Sequence, residues 1–211
     1  MAERASLAEY HRRRDFSRTG EPEGGDTGPA ADRSNFVVQI HDATTTHFDF
    51  RLEVEGVLKS WAVPKGPSAD PHDKRLAMPT EDHPLEYRDF EGIIAQGEYG
   101  AGAVIIWDEG TYRNITEDRR HRPVPFAEAL ENGHVSFWLD GSKLHGGYSL
   151  TRIRNNRYGD RDAWLLVKRG DSRASHGHTP DPRRARSARS GHTLGQVAAE
   201  GGPTWTRGGG S

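Results

Sequence analysis

Along His47-Phe48-Asp49-Phe50-Arg51-Leu52-Glu53-Val54, apolar and polar side chains alternate. In an extended strand successive side chains point to opposite faces, so Phe48, Phe50, Leu52 and Val54 share one face. The other face presents an imidazole, a carboxylate, a guanidinium and a second carboxylate. An ordinary solvated strand shows the same alternation, and it is the order of residue types that distinguishes this one. Two residues apart, they can supply a metal ligand or phosphate donor, a hard anionic ligand and a bidentate phosphate clamp. His41 ends the preceding apolar run, and an antiparallel return across the Thr44-Thr45-Thr46 connection brings it near Asp49. A distant histidine can complete the set. His83, in TEDHPLEY, is the candidate, because Pro84 stiffens its loop and Tyr87 follows within one turn. Mixed nitrogen and oxygen ligation by His41, Asp49 and His83, without sulfur, suits Mn²⁺, Fe²⁺, Co²⁺ or Zn²⁺.

These side chains need a scaffold, and the chain is long enough for one core with tails: 211 residues, 33% hydrophobic, 28% charged, with 25 Gly and 12 Pro. Between residues 34 and 170 short alternating runs are broken by Gly, Asn, Asp and Pro, the signature of an all-β domain. Strands are expected at Asn35–His41, His47–Glu55, Val57–Val63, Lys74–Met78, Gly102–Asp108, Gly110–Asn114, His134–Leu139, Gly147–Arg154 and Ala163–Lys168. Glu55-Gly56 and Glu109-Gly110 read as tight turns and Phe126–Asn132 as the one internal helix. The expected fold is mainly β: an antiparallel β-barrel or closed sandwich with that helix and an N-terminal arm. Residues 1–33 read as the arm, with a short helix in 1–16 and a flexible linker, and residues 171–211 as a disordered basic tail of net charge +3.

The absence of cysteine excludes disulfides, a thiol nucleophile and zinc-finger sites. A net charge of −2 excludes a uniformly basic nucleic-acid binder, so any polyanion site is local. Two basic runs, Arg113, Arg119, Arg120 and Arg122, then Arg152, Arg154, Arg157 and Arg161, suit either a DNA backbone or solvated hairpin loops. Trp61, Trp107, Trp138 and Trp164 lie in strand-like runs and read as core. The glycines of QGEYGAG lack the phosphate-loop pattern and read as turn glycines with no role in a site. With no apolar run of membrane-spanning length, a soluble cytoplasmic protein without membrane contact is expected.

HDATTTHFDFRLE, LKSWAVPKGPS, TEDHPLEYRDFEG and QGEYGAGAVIIWDEGTY stand in this order, and together they resemble the 3′-phosphoesterase domain of bacterial DNA ligase D. YHRRRDFSRTGEPEG is similar to the arm preceding that domain, so the resemblance covers roughly residues 7–170. It implies a β-barrel enzyme acting on DNA 3′ ends, which removes a terminal ribonucleoside and then the 3′-phosphate to leave a hydroxyl for ligation. It further implies manganese held by His41, Asp49 and His83, the scissile phosphate held by His47 and Arg51, and Tyr87 completing the essential set. Lys65 and Arg75 match assisting basic residues. Arg14, Asp15 and Glu21 match arm residues tied to ribonucleoside removal, and Gln39 and Glu81 fall at further positions lining that site. Whether His47 donates a proton or only a hydrogen bond stays open. The implied partners are a DNA ligase and an end-binding protein. No K-x-D-G nucleotidyl-transfer motif occurs, so a stand-alone enzyme is expected.

Two other classes remain. His47-x-Asp49 with a distant histidine also fits the facial triad of non-haem Fe(II) oxygenases, and His145 with Arg154 mimics an oxoacid-binding pair. A non-catalytic DNA-end adaptor would use the basic runs alone.

Overall fold

A computed structural model describes residues 7–24, 34–153, 162–177 and 179–200. The strands are β1 (Ser34–Asp42), β2 (Thr46–Val54), β3 (Val57–Val63), β4 (Lys74–Pro79), β5 (His83–Pro84), β6 (Gly92–Ile94), β7 (Gly102–Asn114), β8 (His134–Gly141), β9 (His145–Ile153) and β10 (Ala163–Lys168). Among the described residues three short helices, α1 (Ala8–Arg12), α2 (Phe126–Glu131) and α3 (Leu194–Ala199), and a 3₁₀ turn at Leu85–Asp89 join them. Neighbours run in the order β1-β2-β3-β4-β10-β9-β8-β7, and β7 pairs back onto β1. The result is a closed eight-stranded antiparallel barrel, with β5 and β6 added outside the ring on β3 and β7.

The period-two pattern fills the barrel. Phe36, Val38 and Ile40 of β1 and Phe48, Phe50, Leu52 and Val54 of β2 pack inside with Trp61, Trp107, Phe137, Tyr148 and Trp164. Helix α2 adds Phe126, Ala127, Ala129 and Leu130 to this core. The β2–β3 hairpin turns on Glu55 and Gly56, both with positive φ (50° and 85°), as a two-residue hairpin requires.

Glu109-Gly110 is not a turn. One long strand, β7, runs through it. Opposite Val38 and Gln39 of β1, β7 holds one extra residue, Trp107, because Val38 pairs with Asp108 and Gln39 with Ile106. A bulge shifts the inside/outside phase by one: Ile105 and Trp107 face the core before it and Tyr112 after it. The interrupted alternation imitates two strands. Gly110 lies where β7 pairs with β1 and β8 at once, and a Cβ there would sit 2.2 Å from the Asp140 carbonyl oxygen. This glycine serves close backbone approach.

The C-terminal segment also departs from expectation. Its described part, residues 171–177 and 179–200, is a strap folded onto the barrel. Ser175 N–H donates to Ala69 O (2.9 Å), Thr179 Oγ1 to Pro67 O (2.6 Å) and Ala188 N–H to Ile106 O (2.8 Å). Arg189 pairs with Asp89 (2.9 Å) and Glu109, and Ser190 donates to Glu91. Ala185, Leu194 and Val197 are buried in the main core, and α3 begins with a capping box at Thr193 and Gln196. Leu194→Ala is therefore expected to cost about 2–4 kcal/mol. Urea unfolding monitored by tryptophan fluorescence measures this, and an unchanged midpoint would show the strap contributes nothing to the fold.

Candidate metal centre and active site

Inward-facing Phe48 and Phe50 force Asp49 and Arg51 outward, and the same alternation on β1 sends Gln39 and His41 outward beside them. The candidate site therefore lies on the outer wall of the barrel, over β1, β2 and β3. Register places His41 opposite His47 and Gln39 opposite Asp49. The wall is roofed by the arm and by the segment from Thr80 to Gly100. Leu7 and Tyr10 of the arm are buried against Val57, Leu58, Tyr87, Phe90 and Ile94, and Tyr10 donates its hydroxyl proton to Pro22 O (2.7 Å). The cleft left between has a volume of about 280 Å³ and is lined by Arg14, His41, Ala43, Thr44, His47, Asp49, Arg51, Thr80, Glu81, His83, Tyr87, Ile94, Tyr99 and Gly100.

His41, His47 and Asp49 offer ligand atoms that all lie within 4.8 Å of one another. Their hydrogen bonds define what those atoms can do. His41 Nε2 lies 2.6 Å from Gly100 O and His47 Nδ1 lies 2.8 Å from Thr45 O, and only a protonated nitrogen can bond a carbonyl. Each backbone carbonyl thus fixes the tautomer. The opposite nitrogens, His41 Nδ1 and His47 Nε2, present bare lone pairs 3.8 and 3.6 Å from the two oxygens of Asp49. Burial pushes the His41 imidazole below its ordinary value despite the nearby Asp49 carboxylate, which keeps the ring neutral. Two lone pairs and a carboxylate converging without protons between them are donors waiting for a cation. Ligand bonds of about 2.1 Å opening at roughly 120° span about 3.6 Å, so a divalent ion fits this set.

His83 stands apart from that cluster, so it is His47 that accompanies His41 and Asp49. Its ring is buried between two guanidinium groups: Arg51 Nη1 lies 3.0 Å from Nδ1 and Arg14 Nη2 3.4 Å from Nε2. Glu81 O lies 2.8 Å from Nδ1. Burial first, and then the charges of Arg51 and Arg14, hold His83 well below the usual imidazole range, so it is neutral.

Arg51 is the hub. Its Nε donates to Gln39 Oε1 (2.7 Å), its Nη1 reaches Ser60 Oγ (2.9 Å) and His83, and its Nη2 donates to Asp49 Oδ2 (3.0 Å). Because Glu81 O fixes the proton on His83 Nδ1, that nitrogen cannot accept from Arg51, and of the five N–H groups one on each of Nη1 and Nη2 is left uncommitted among the described residues. Gln39, Ser60 and Asp49 thus hold the Arg51 guanidinium in place and aim Asp49, while one N–H on each Nη nitrogen stays open toward the cleft. Arg14 makes a similar pattern: Nε to Glu21 (2.9 Å), Nη1 to Tyr10 O and Glu81, Nη2 to His83, with its guanidinium stacked 3.8 Å over the Tyr10 ring.

The other expected residues divide. Tyr87 is buried in the roof, its ring 4.7 Å from His83 and 4.9 Å from the Arg51 guanidinium, and burial pushes its phenol well above the ordinary range. Glu81 and Glu21 anchor Arg14. Gln39 is buried beneath the site, donating to Tyr87 O and Phe90 O, and so orients Arg51 without lining the cleft. Asp15 is exposed and caps a turn through Ser17 (2.6 and 3.1 Å). Lys65 is exposed beyond β3, and Arg75 pairs with Asp73 (2.7 Å); neither lines the cleft. His145 faces Asp140 at the start of β9, away from the metal cluster, and Arg154, Arg157 and Arg161 lie outside the described residues.

Two contributors came from the loop that sequence reasoning passed over. Gly100 supplies the carbonyl that orients His41. Tyr99 is the exposed large hydrophobic of the described residues, half accessible at the cleft rim beneath the Arg13 guanidinium (4.8 Å). The signal in the sequence is an aromatic residue set in a glycine-rich loop, between Gly97 and Gly100.

The family described as "DNA Ligase D 3'-phosphoesterase domain" matches residues 39–152. The Multifunctional non-homologous end joining protein LigD of Pseudomonas aeruginosa is 52% identical over 171 residues, 80% of this chain and 19% of that protein. The Multifunctional non-homologous end joining DNA repair protein LigD of Mycobacterium tuberculosis is 46% identical over 152 residues, 72% of this chain and 19% of its own length. The chain thus spans about a fifth of the curated relatives it matches.

Proposed function

The chain belongs to the DNA ligase D 3′-phosphoesterase family, and on that footing we propose that it is a metal-dependent hydrolase that trims DNA 3′ ends during end joining. In this reading it removes a 3′-terminal ribonucleoside and a 3′-phosphate to leave a hydroxyl. The observation that supports it best is the pair of backbone-fixed histidine tautomers whose bare nitrogens flank Asp49.

His41, His47 and Asp49 would hold the ion, with Mn²⁺ the family's metal. When bound, it would neutralise phosphoryl charge and acidify water at neutral pH. Beyond their internal bonds Arg14 keeps one Nη2 N–H and Arg51 one N–H on each Nη nitrogen, so the two guanidiniums together serve the phosphate. His83, neutral between them, accepts from Arg14 at Nε2 and so orients that guanidinium without adding charge. Glu21 and Glu81 balance the arginines and hold Arg14 in place, which ties the arm to substrate binding. The substrate is the 3′ end of DNA, and a ligase and an end-binding protein are the partners implied by the non-homologous end joining for which the relatives are named. The facial-triad reading shares the two-histidine, one-carboxylate set, but it gives the paired arginines no work.

A labelled primer–template ending in a ribonucleotide or a 3′-phosphate tests this. Shortening and dephosphorylation with Mn²⁺, and neither in chelator, are expected; equal turnover in chelator sinks the reading. The Tyr99 ring at the rim is placed to stack on a terminal base, an interaction of about 1–3 kcal/mol. Tyr99→Ala is accordingly expected to raise KM for the primer end roughly tenfold or more with a smaller change in kcat, and Tyr99→Trp to retain it.

A further inference from the structure

We propose that Asp70, His72 and His176 form a second divalent-metal site, of the imidazole-preferring class (Zn²⁺, Co²⁺, Ni²⁺), which clamps the C-terminal strap to the loop after β3. The three side chains offer ligand atoms within 4.8 Å of one another, and none of them lines the cleft.

The geometry is that of a wedge between two rings. His72 and His176 stack with centroids 5.7 Å apart and planes 25° from parallel. The Asp70 carboxylate meets both: Oδ1 lies 2.9 Å from His72 Nδ1 and Oδ2 3.0 Å from His176 Nδ1. Two ligand bonds of about 2.1 Å meeting near a right angle span about 3.0 Å, so an ion can replace the two bridging protons with little movement. For a set of two imidazoles and a carboxylate, affinity is higher for Co²⁺, Ni²⁺ and Zn²⁺ than for Mn²⁺ or Mg²⁺, so at equal concentration zinc-like ions occupy the clamp first, as they would the Asp49 set.

The donors are already assembled. Asp70 Oδ1 accepts the backbone N–H of His72 (2.9 Å), and Asp70 N–H donates to Ser68 Oγ (3.1 Å), which fixes the loop half. The strap half is held by Ser175 N–H on Ala69 O and Thr179 Oγ1 on Pro67 O. At Gly66 (φ +69°) a Cβ would lie 2.7 Å from Thr179 Cγ2 and 2.8 Å from the Phe48 ring, so strap, loop and barrel meet there in contact. His176 is the strap's contribution, 106 residues from Asp70 in sequence. Both histidines are largely exposed, which leaves coordination positions to water and makes the ion exchangeable.

The test is calorimetric titration of the metal-stripped full chain with Zn²⁺, together with thermal unfolding. Wild type is expected to bind two equivalents. His72→Ala, His176→Ala and Asp49→Asn should each bind one, and the Asp49→Asn, His176→Ala double variant none. A lost ligand should weaken the clamp site by about a hundredfold or more, beyond the effect of an outer-shell change. Zn²⁺ should raise the Tm of Asp49→Asn but not that of the double variant. If Asp49→Asn binds no zinc, or binds it unchanged after His176→Ala, the clamp is overturned. If one equivalent survives in Asp49→Asn while wild type also binds only one, the clamp stands and the metal centre at Asp49 fails, so the two assignments are separable.

Discussion

Asp49→Asn protein is expected to stay folded and to lose hydrolysis of a 3′-phosphate by about three orders of magnitude. The substitution keeps shape and removes charge. Asp49 receives two bare imidazole nitrogens and one Arg51 N–H, and it is the only carboxylate in the His41, His47, Asp49 set. An amide there turns an N–H₂ toward a lone pair or toward Arg51, so a cation loses an anionic ligand and gains no substitute. Single-turnover assays on a labelled 3′-phosphate end, with Mn²⁺ affinity measured in parallel, separate loss of the ion from loss of chemistry. Near-normal turnover at saturating Mn²⁺ would remove Asp49 from the centre.

Arg51→Lys is expected to fail in a different way, losing both activity and stability although the charge is kept. Arg51 is 3% exposed, and it bonds Gln39, Ser60 and Asp49 besides touching His83. A lysine has three donors on one nitrogen and cannot reach partners spread around a planar fork. Gln39 Oε1 is then left buried without its donor, at a cost of about 1–3 kcal/mol. Turnover should fall at least about a hundredfold, because Asp49 loses the bond that aims it. Urea midpoint and kcat read the two losses independently. Lysine with wild-type values in both would make Arg51 a plain source of positive charge.

The barrel was legible because residue types repeat every second position. Phe48, Phe50 and Leu52 announce one face, and Asp49 and Arg51 must then occupy the other. The same period failed at β7, where an extra residue at Trp107 shifts the phase and Gly110 looks like punctuation. The strap was illegible for a different reason. Its anchors are Arg189, Ser190, Thr179 and backbone N–H groups, with few apolar side chains, so its attachment leaves no hydrophobic period. At the site, sequence showed which types gather but not which nitrogen is free. Choosing His47 over His83 depends on the Thr45 and Gly100 carbonyls and on two arginines flanking His83, backbone and long-range facts that no local motif encodes.

The position of the site on the wall has a kinetic consequence. An eight-stranded barrel is just wide enough to be filled by its own side chains, as this one is, so nothing threads it. A strand end that enters the cleft between this wall and its roof does so from the side rather than through a closed ring, so no topological link holds it after a bond breaks. Each event then ends in a choice between release and rebinding, so trimming should be distributive. Chase with excess unlabelled primer after the first event should stop further shortening of the labelled strand.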